Sequence, residues 1–438
     1  MKRFSRRLLV ALLAAFLLMP VMAMHSSAAE IKITITNPYE SVDWAKAKPY
    51  RTQLHTHTTA SDGKQTMAEA IENYYSHGYD FVAVTDHGVV DRGWAKPNHI
   101  PFYGVPDKSW TEPVYDLFSN LFGSRKIQGL TEARLREITA GEGRGGRGML
   151  RVPLGIEQNP NGHCVEINSW FCDWGNFVIM PSGDYEYEYP TKNVHRAGGL
   201  SMLNHPTEAI FNRGLSFEEL YEGENYGYVN KVQLLFEKYS SLLGIELARN
   251  AGDLKLWDTL LTNLSPAGRN VFGFATSDSH GADTVDDGWV WALMEGQTVE
   301  NLRGCLAAGA FFAGLKGDAA KAEPMVTEIT VKDGTIAIIA ENHETVQWIS
   351  GGKVIATGGE FSLSEHAGEL GAYVRAEVRG EGGTLYMQPF LLSYDGMPVG
   401  RPVPSDYIDE GRSILVTRTL LYPFLRALDG IWKMINWL

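Results

Sequence analysis

Two histidines one residue apart, His55-Thr56-His57, open a series of metal-binding side-chain types spread along the chain. Asp62 follows in the next loop, and then come Thr85-Asp86-His87, Glu157, His163, Asn204-His205-Pro206, Glu246 and Asp278-Ser279-His280. Side chains on a strand alternate faces with period two, so His55 and His57 point the same way and can close on one ion, with Asp62 as a third ligand. Thr56 and Thr58 then face the other way, as packing residues. Imidazole and carboxylate donors without thiolates suit zinc, manganese or iron. Clustered divalent ions lower the pKa of bound water and clamp the attacking and leaving oxygens of a displacement, so the chemistry indicated is hydrolysis. A lone His-x-His is a weak signal, because buried histidines are often simply hydrogen-bonded. Repetition strengthens it.

The repetition lies in where these residues fall. Residues 50–54 form a strand that feeds the His-x-His, and residues 67–77 have helical spacing closed by Gly78. The apolar run 79–84 ends in Thr85-Asp86-His87 and reads as a strand buried on both faces. Runs 150–156, 200–203, 243–245 and 271–275 end in Glu157, Asn204-His205, Glu246 and Thr276-Ser277-Asp278. In a β/α barrel such strand ends gather on one rim, where the chemistry sits.

Taken in order, His55-x-His57, Asp62, Thr85-Asp86-His87, Glu157, Gly162-His163, Asn204-His205-Pro206 and Asp278-x-His280 resemble the polymerase and histidinol phosphatase (PHP) family over roughly residues 50–315. The resemblance implies an α/β fold, a distorted seven-stranded (β/α) TIM-like barrel, holding two to three divalent ions (zinc, manganese or iron). It implies one ion on His55, His57, Glu157 and Asp278. A second is bridged by Glu157 and held by His163 and His205, and a third sits on Asp62, His87 and His280. Asp86 is a candidate to orient His87 from behind. Glu246 is a candidate to support a ligand or touch substrate, or else a structural ion-pair member. The implied activity is phosphoester hydrolysis by a metal-activated hydroxide, on a small or oligomeric substrate. Three ions set against Asp62, Glu157, Asp278 and one hydroxide leave about +2, which suits an anionic substrate. The export signal, the long 88–151 segment and the C-terminal module look more like exported PHP proteins akin to carbaryl hydrolase. For these, carbamate, amide or carboxylic ester cleavage is the alternative. A non-catalytic exported metal-binding or envelope protein is a third reading, opposed by the filled ligand set.

The rest of the chain sets the context. Residues 1–29 read as an export signal, with Lys2, Arg3, Arg6 and Arg7 before an apolar run and small residues at Ser27-Ala28-Ala29. An uncleaved anchor is the other reading. Removing this segment, which holds those four cations and no acid, takes the formal charge from −13 to −17. Nucleic-acid binding, which needs a basic footprint, is therefore not expected. Cys164 and Cys172 either form a bridge or stay as buried thiols, and Cys305 stands alone. Residues 141–148 (GEGRGGRG) make either a surface loop or a lid whose Arg144 or Arg147 reaches a substrate anion. Trp94, His99 and Tyr103 line a pocket mouth or simply pack. Residues 30–49 are a β-rich lead-in and 50–320 the barrel. Residues 325–400, with short alternating strands and Gly-containing turns, predict a small all-β sandwich that braces the barrel. The tail, 401–438, is amphipathic and docks on the protein or makes peripheral contact with a membrane.

Overall fold

The computed structural model describes residues 33–87, 90–95, 128–158, 166–172, 185–207, 226–247 and 251–395. The export segment, His99, Tyr103, His163, Cys164 and the tail lie outside them. Strand β1 (Ile33–Thr36) comes first, and β2 (Lys48–Gln53) then carries the chain into the His-x-His. Helix α1 (Met67–Ser76) starts from a capping box, in which Thr66 accepts from the Glu69 amide and Glu69 reaches back to the Thr66 amide. Its buried residues Met67, Ala70, Ile71, Tyr74 and Tyr75 recur at helical spacing. It ends with His77 as its cap and Gly78 at φ +81°, as the spacing predicts.

Strand β3 (Phe81–Val82) pairs in parallel with β2 and with β4 (Leu150–Arg151). The ladder then breaks. Pro153 has no N–H to donate, and Leu154 is held at φ +61°. The chain re-enters a second sheet as β5 (Ile156–Gln158), followed by β6 (Ile167–Trp170), β7 (Leu200–Leu203), β8 (Leu242–Glu246) and β9 (Phe272–Phe274). Strands β7, β8 and β9 run parallel, whereas β6 is antiparallel to both β5 and β7. Two isolated parallel bridges, Thr56–Ser279 and His87–Glu157, join the two sheets. The described strands thus form a mixed α/β arrangement whose sheets meet at these bridges without closing into a continuous barrel.

Strand β10 (Gly288–Met294) pairs antiparallel with β2 and with β11 (Phe311–Lys316), and β11 pairs with β18 (Gly383–Met387) in the register Phe312–Met387. One sheet therefore runs from the site strands into the C-terminal strands β14 (Thr345–Ser350), β15 (Lys353–Thr357), β17 (Tyr373–Gly380), β18 and β19 (Phe390–Tyr394), and takes in β1 through its pairing with β19. A three-stranded sheet, β12 (Met325–Lys332), β13 (Thr335–Glu341) and β16 (Glu360–Ser362), shares a core with it. Val326, Ile329, Ile336, Ile338 and Phe361 meet Val346, Trp348, Val374, Ala376, Val378 and Met387. The alternation of β17 divides it between two cores. Val374, Ala376 and Val378 face this one, while Tyr373, Arg375 and Glu377 face helix α2 (Ala251–Leu264).

At that second face, Arg375 donates to both oxygens of Asp258 at 2.8 Å and to Glu377 Oε1 at 2.6 Å, and it lies 4.6 Å from the centre of the Trp257 ring. The glycine-rich 141–148 turn is also structural. Arg147 holds Asp80 through two 2.6 Å contacts, and Arg144 donates to the carbonyls of Tyr79 and Gly78. Asp80 precedes β3, at the strand end opposite His87, so neither arginine serves as a lid over the site. Trp94 is buried in the cluster around Met67, Ile71 and Ile138.

Asp258→Ala leaves the buried Arg375 with Glu377 alone. We expect about 3–5 kcal/mol of destabilisation, read as a lower urea midpoint with an unchanged slope; a loss below about 1 kcal/mol would mean that this ion cluster is dispensable.

Candidate metal centre

The end of β2 is fastened to the segment after β9 by one buried amide. Gln53 Oε1 accepts from the backbone N–H groups of Leu54, His55 and Ser277 at 3.0, 3.1 and 3.2 Å, and its Nε2 donates to Ser277 Oγ at 2.8 Å. His57 N–H then donates to Ser279 O at 2.9 Å, and Lys64 N–H to His280 O at 2.8 Å. His55, His57, Asp278 and His280 are therefore held in mutual register. Asp278 itself adopts a left-handed backbone, φ +44°, which aspartate tolerates better than most residues.

Asp86 does not orient His87. It turns to the loop after the His-x-His, accepting from Thr58 N–H (2.7 Å), Thr58 Oγ1 (2.7 Å) and Ser61 Oγ (2.6 Å). Thr58 is thus a hydrogen-bonding residue of the frame as well as a packing one. Gly63 passes so close beneath this loop that a Cβ there would stand 2.6 Å from the His57 carbonyl.

Side chains from both sheets converge on this frame. His55 Nε2, His57 Nε2 and Asp278 Oδ1 form a triangle with edges of 3.1, 3.1 and 3.0 Å. Glu157, fully buried, enters it with both oxygens. Oε1 stands 3.2 Å from His55 Nε2 and 3.4 Å from His205 Nε2, while Oε2 is 3.1 Å from both His57 Nε2 and His87 Nδ1. Asp62 Oδ2 lies 3.4 Å from His87 Nε2 and 3.3 Å from His280 Nε2, and Asp62 Oδ1 lies 3.4 Å from His57 Nδ1. Exposure grades across the centre, from His55 and Glu157 at 0% through His205 at 14% and His87 at 20% to His280 at 38% and Asp62 at 49%.

Hydrogen bonding alone does not account for this packing. His55 Nε2 carries at most one proton, yet two carboxylate oxygens and a second ring nitrogen crowd it at 3.1–3.2 Å. Glu157 Oε2 is buried and accepts no hydrogen bond of proper geometry, although two ring nitrogens lie 3.1 Å away. Such atoms are aimed at shared points between them. Donors about 2.1 Å from one ion stand roughly 3.0 Å apart in an octahedron and roughly 3.4 Å apart in a tetrahedron, the range observed here. The residues fit divalent ions.

Electrostatics point the same way. Burial lowers the pKa of His55, but Asp278 and Glu157 outweigh it and push the ring up to about 9. His87 reaches about 9 against the same burial penalty, through Glu157 and Asp62. Burial raises Glu157 and Asp278, yet the facing histidines hold both well below the usual carboxylate range. The cluster thus demands positive charge, as protons or as metal.

Around the ligands, Glu246 lies behind His55 with Oε1 3.4 Å from Nδ1; it also accepts from Thr276 Oγ1, and from the His205 amide at 2.7 Å. Asn204 donates to Glu157 Oε1 at 2.6 Å. One acid at the centre was not singled out from the sequence. Glu166 Oε2 stands 3.2 Å from His205 Nε2, and Oε1 is 3.9 Å from His87 Nδ1. It precedes β6, and because β6 runs antiparallel it brings its N-terminal end to a rim where the other strands bring C-terminal ends. The only available signal was an acid at a strand start.

No protein-family profile and no curated protein matches this chain. Solved structures do show likeness. A Bacteroides vulgatus two-domain protein, described as containing a predicted PHP-like metal-dependent phosphoesterase, aligns at 12% identity and TM-score 0.40, over 86% of this chain and 97% of its own. Histidinol phosphate phosphatase from Lactococcus lactis, solved with zinc, L-histidinol and phosphate, aligns at 14% and 0.24, over 59% and 94%. An amidohydrolase from Chromobacterium violaceum, solved with sulfate and no metal, aligns at 13% and 0.26, over 53% and 89%. The likenesses include PHP-like phosphoesterases. At these identities and scores they lend this chain no substrate and no metal, so its chemistry has to be read from its own residues.

Asp278→Asn and His55→Ala should each lower bound zinc or manganese by at least one ion per chain, read by elemental analysis after dialysis; full retention in both would reject the site. The raised histidines also set a pH dependence. In metal-free protein their charged pairs stabilise the fold fully below pH 6.5, and that contribution is lost as pH rises through about 9. Melting temperature without metal should therefore fall between pH 7 and 10, and the fall should shrink when zinc is present, because metal replaces the protons. Equal pH slopes with and without zinc would contradict this.

Proposed function

We propose that this protein is an exported metal-dependent hydrolase of the PHP type, with a distorted barrel as its site scaffold, that cleaves a phosphoester. The observation that carries this reading is the triangle of His55 Nε2, His57 Nε2 and Asp278 Oδ1, with edges of 3.0–3.1 Å, set on the fully buried Glu157. Divalent ions bound there supply Lewis acidity and activated water at neutral pH. The chain's residues do the positioning. Gln53 sets His55 and the Asp278 segment, Asp86 sets the His57 loop, and Glu246 and Asn204 brace His205 and Glu157. Exposure of Asp62 (49%) and His280 (38%), against none for His55 and Glu157, makes the Asp62–His280 side the direction from which substrate approaches.

A second reading, cleavage of a carbamate or carboxylic ester by the same centre, is favoured by Glu166. A fourth carboxylate at the site makes it less attractive to a dianion than Asp62, Glu157 and Asp278 alone would. Export rests on the basic-then-apolar leader in residues 1–29, and peripheral membrane contact on the apolar tail 401–438.

Chromogenic phosphomonoesters, phosphodiesters, aryl esters and aryl carbamates, assayed with manganese and with zinc, test the proposal. We expect phosphoester turnover that His87→Ala and Asp278→Ala each lower by roughly 100-fold or more. Turnover of aryl esters or carbamates alone would replace the phosphoester reading with the second one, and undiminished activity in both variants would overturn metal-dependent hydrolysis.

A further inference from the structure

We propose that Glu166 is a metal ligand, and that together with Glu157 and His87 it forms a carboxylate-rich seat for a hard, exchangeable ion such as manganese or magnesium, distinct from the tighter seat at His55, His57 and Asp278. The inference rests on the metal-dependent reading of the centre. Glu166 Oε2 stands 3.2 Å from His205 Nε2, and Glu157 Oε1 stands 3.4 Å from the same nitrogen, so one imidazole faces two carboxylates at ligand-to-ligand spacing. The ion-pair contacts of Glu166 are with His205 and His87, and among the described residues it meets no lysine or arginine. Two mostly buried carboxylates thus share one corner with the imidazoles of His205 and His87. Glu157 Oε2, buried and accepting no hydrogen bond, stands 3.1 Å from His87 Nδ1, the nitrogen that Glu166 Oε1 faces at 3.9 Å, which gives independent support for a cation among these three groups.

The backbone prepares this corner. Asn204 donates its side-chain amide to Glu157 Oε1 at 2.6 Å and its main-chain N–H to the Glu166 carbonyl at 2.9 Å, so one residue positions both acids. Donor chemistry then separates the two seats. His55, His57 and Asp278 offer two imidazoles and one carboxylate, a set suited to zinc, whereas His87, Glu157 and Glu166 offer one imidazole and two carboxylates, a set weighted toward manganese or magnesium. His55 is fully buried, whereas the side chains of His87 and Glu166 are 20% and 15% exposed, which makes the second seat the easier one to exchange.

The test is metal binding to the full chain, with no substrate present. Metal-free protein is titrated with Mn2+, followed by electron paramagnetic resonance of free Mn2+ and by calorimetry, and then competed with Zn2+. Wild type should show a tight and a weaker class. Glu166→Gln should weaken only the weaker class, by roughly tenfold or more, while leaving the tight one within about twofold. Glu166→His should shift the weaker class toward Zn2+ over Mn2+ by roughly tenfold or more. If the Gln variant does not fold by circular dichroism, Glu166→Asp, which keeps the charge but withdraws the carboxylate, is read in its place with the same expectation. An unchanged isotherm in the folded variant overturns the proposal, as does equal weakening of both classes. Wild type that binds neither ion overturns the metal centre itself, which separates the two failures.

Discussion

A carboxylate with no solvent exposure, set among four imidazoles, governs this architecture. Glu157 sits at the seam where the two sheets meet, paired across the bridge to His87, with His55 and His205 on one oxygen and His57 and His87 on the other. Placing a charge there without compensation costs several kcal/mol, and the surrounding histidines relieve that cost only when positively charged or joined to it by a cation. The break in the first sheet at Pro153 and Leu154 lets the chain cross to the second and bring Glu157 to the junction. A closed ladder would have paired this stretch as an ordinary barrel strand. The irregularity and the site are one feature.

The frame behind the ligands is polar, buried and paired. Gln53, Asp86, Asn204 and Glu246 are all nearly inaccessible, and each ties backbone from one segment to a ligand or ligand loop from another. Such groups are costly when unsatisfied and stiff when satisfied, so they fix ligand positions more tightly than apolar packing would. The C-terminal strands add rigidity from the far side, through the β11–β18 ladder and the Arg375–Asp258 contact between sheet and helix.

Most of the centre was legible in the sequence because parallel strands announce their ends, an apolar run closing in His, Asp or Glu. That rule located His55, His57, His87, Glu157, His205, Glu246 and Asp278. It missed Glu166 for a physical reason, since β6 is reversed and presents its beginning to the rim. Asp86 shows another limit, because adjacency in sequence suggested His87 as its partner while neighbouring peptide units turned its carboxylate toward Thr58 and Ser61. Arg144 and Arg147 looked available for a substrate anion, but their partner Asp80 lies on a segment more than sixty residues earlier, invisible to local pattern. The break in the ladder at Pro153 was not legible either, because a proline's effect on pairing depends on which neighbours compete for the next strand.

The pairing of β1 with β19 joins Ile33 to Tyr394, nearly the two ends of the described chain. A polypeptide emerging N-terminus first carries β1 as an unpaired strand until almost the whole chain has been delivered. The sheet that backs the histidine strands is therefore finished last, by its most distant contact in sequence. High contact order of this kind slows assembly and keeps metal capture, which needs His55 and Asp278 together, a late event in the life of each molecule. Which ions occupy the protein is then decided by the conditions that prevail when the final strand arrives.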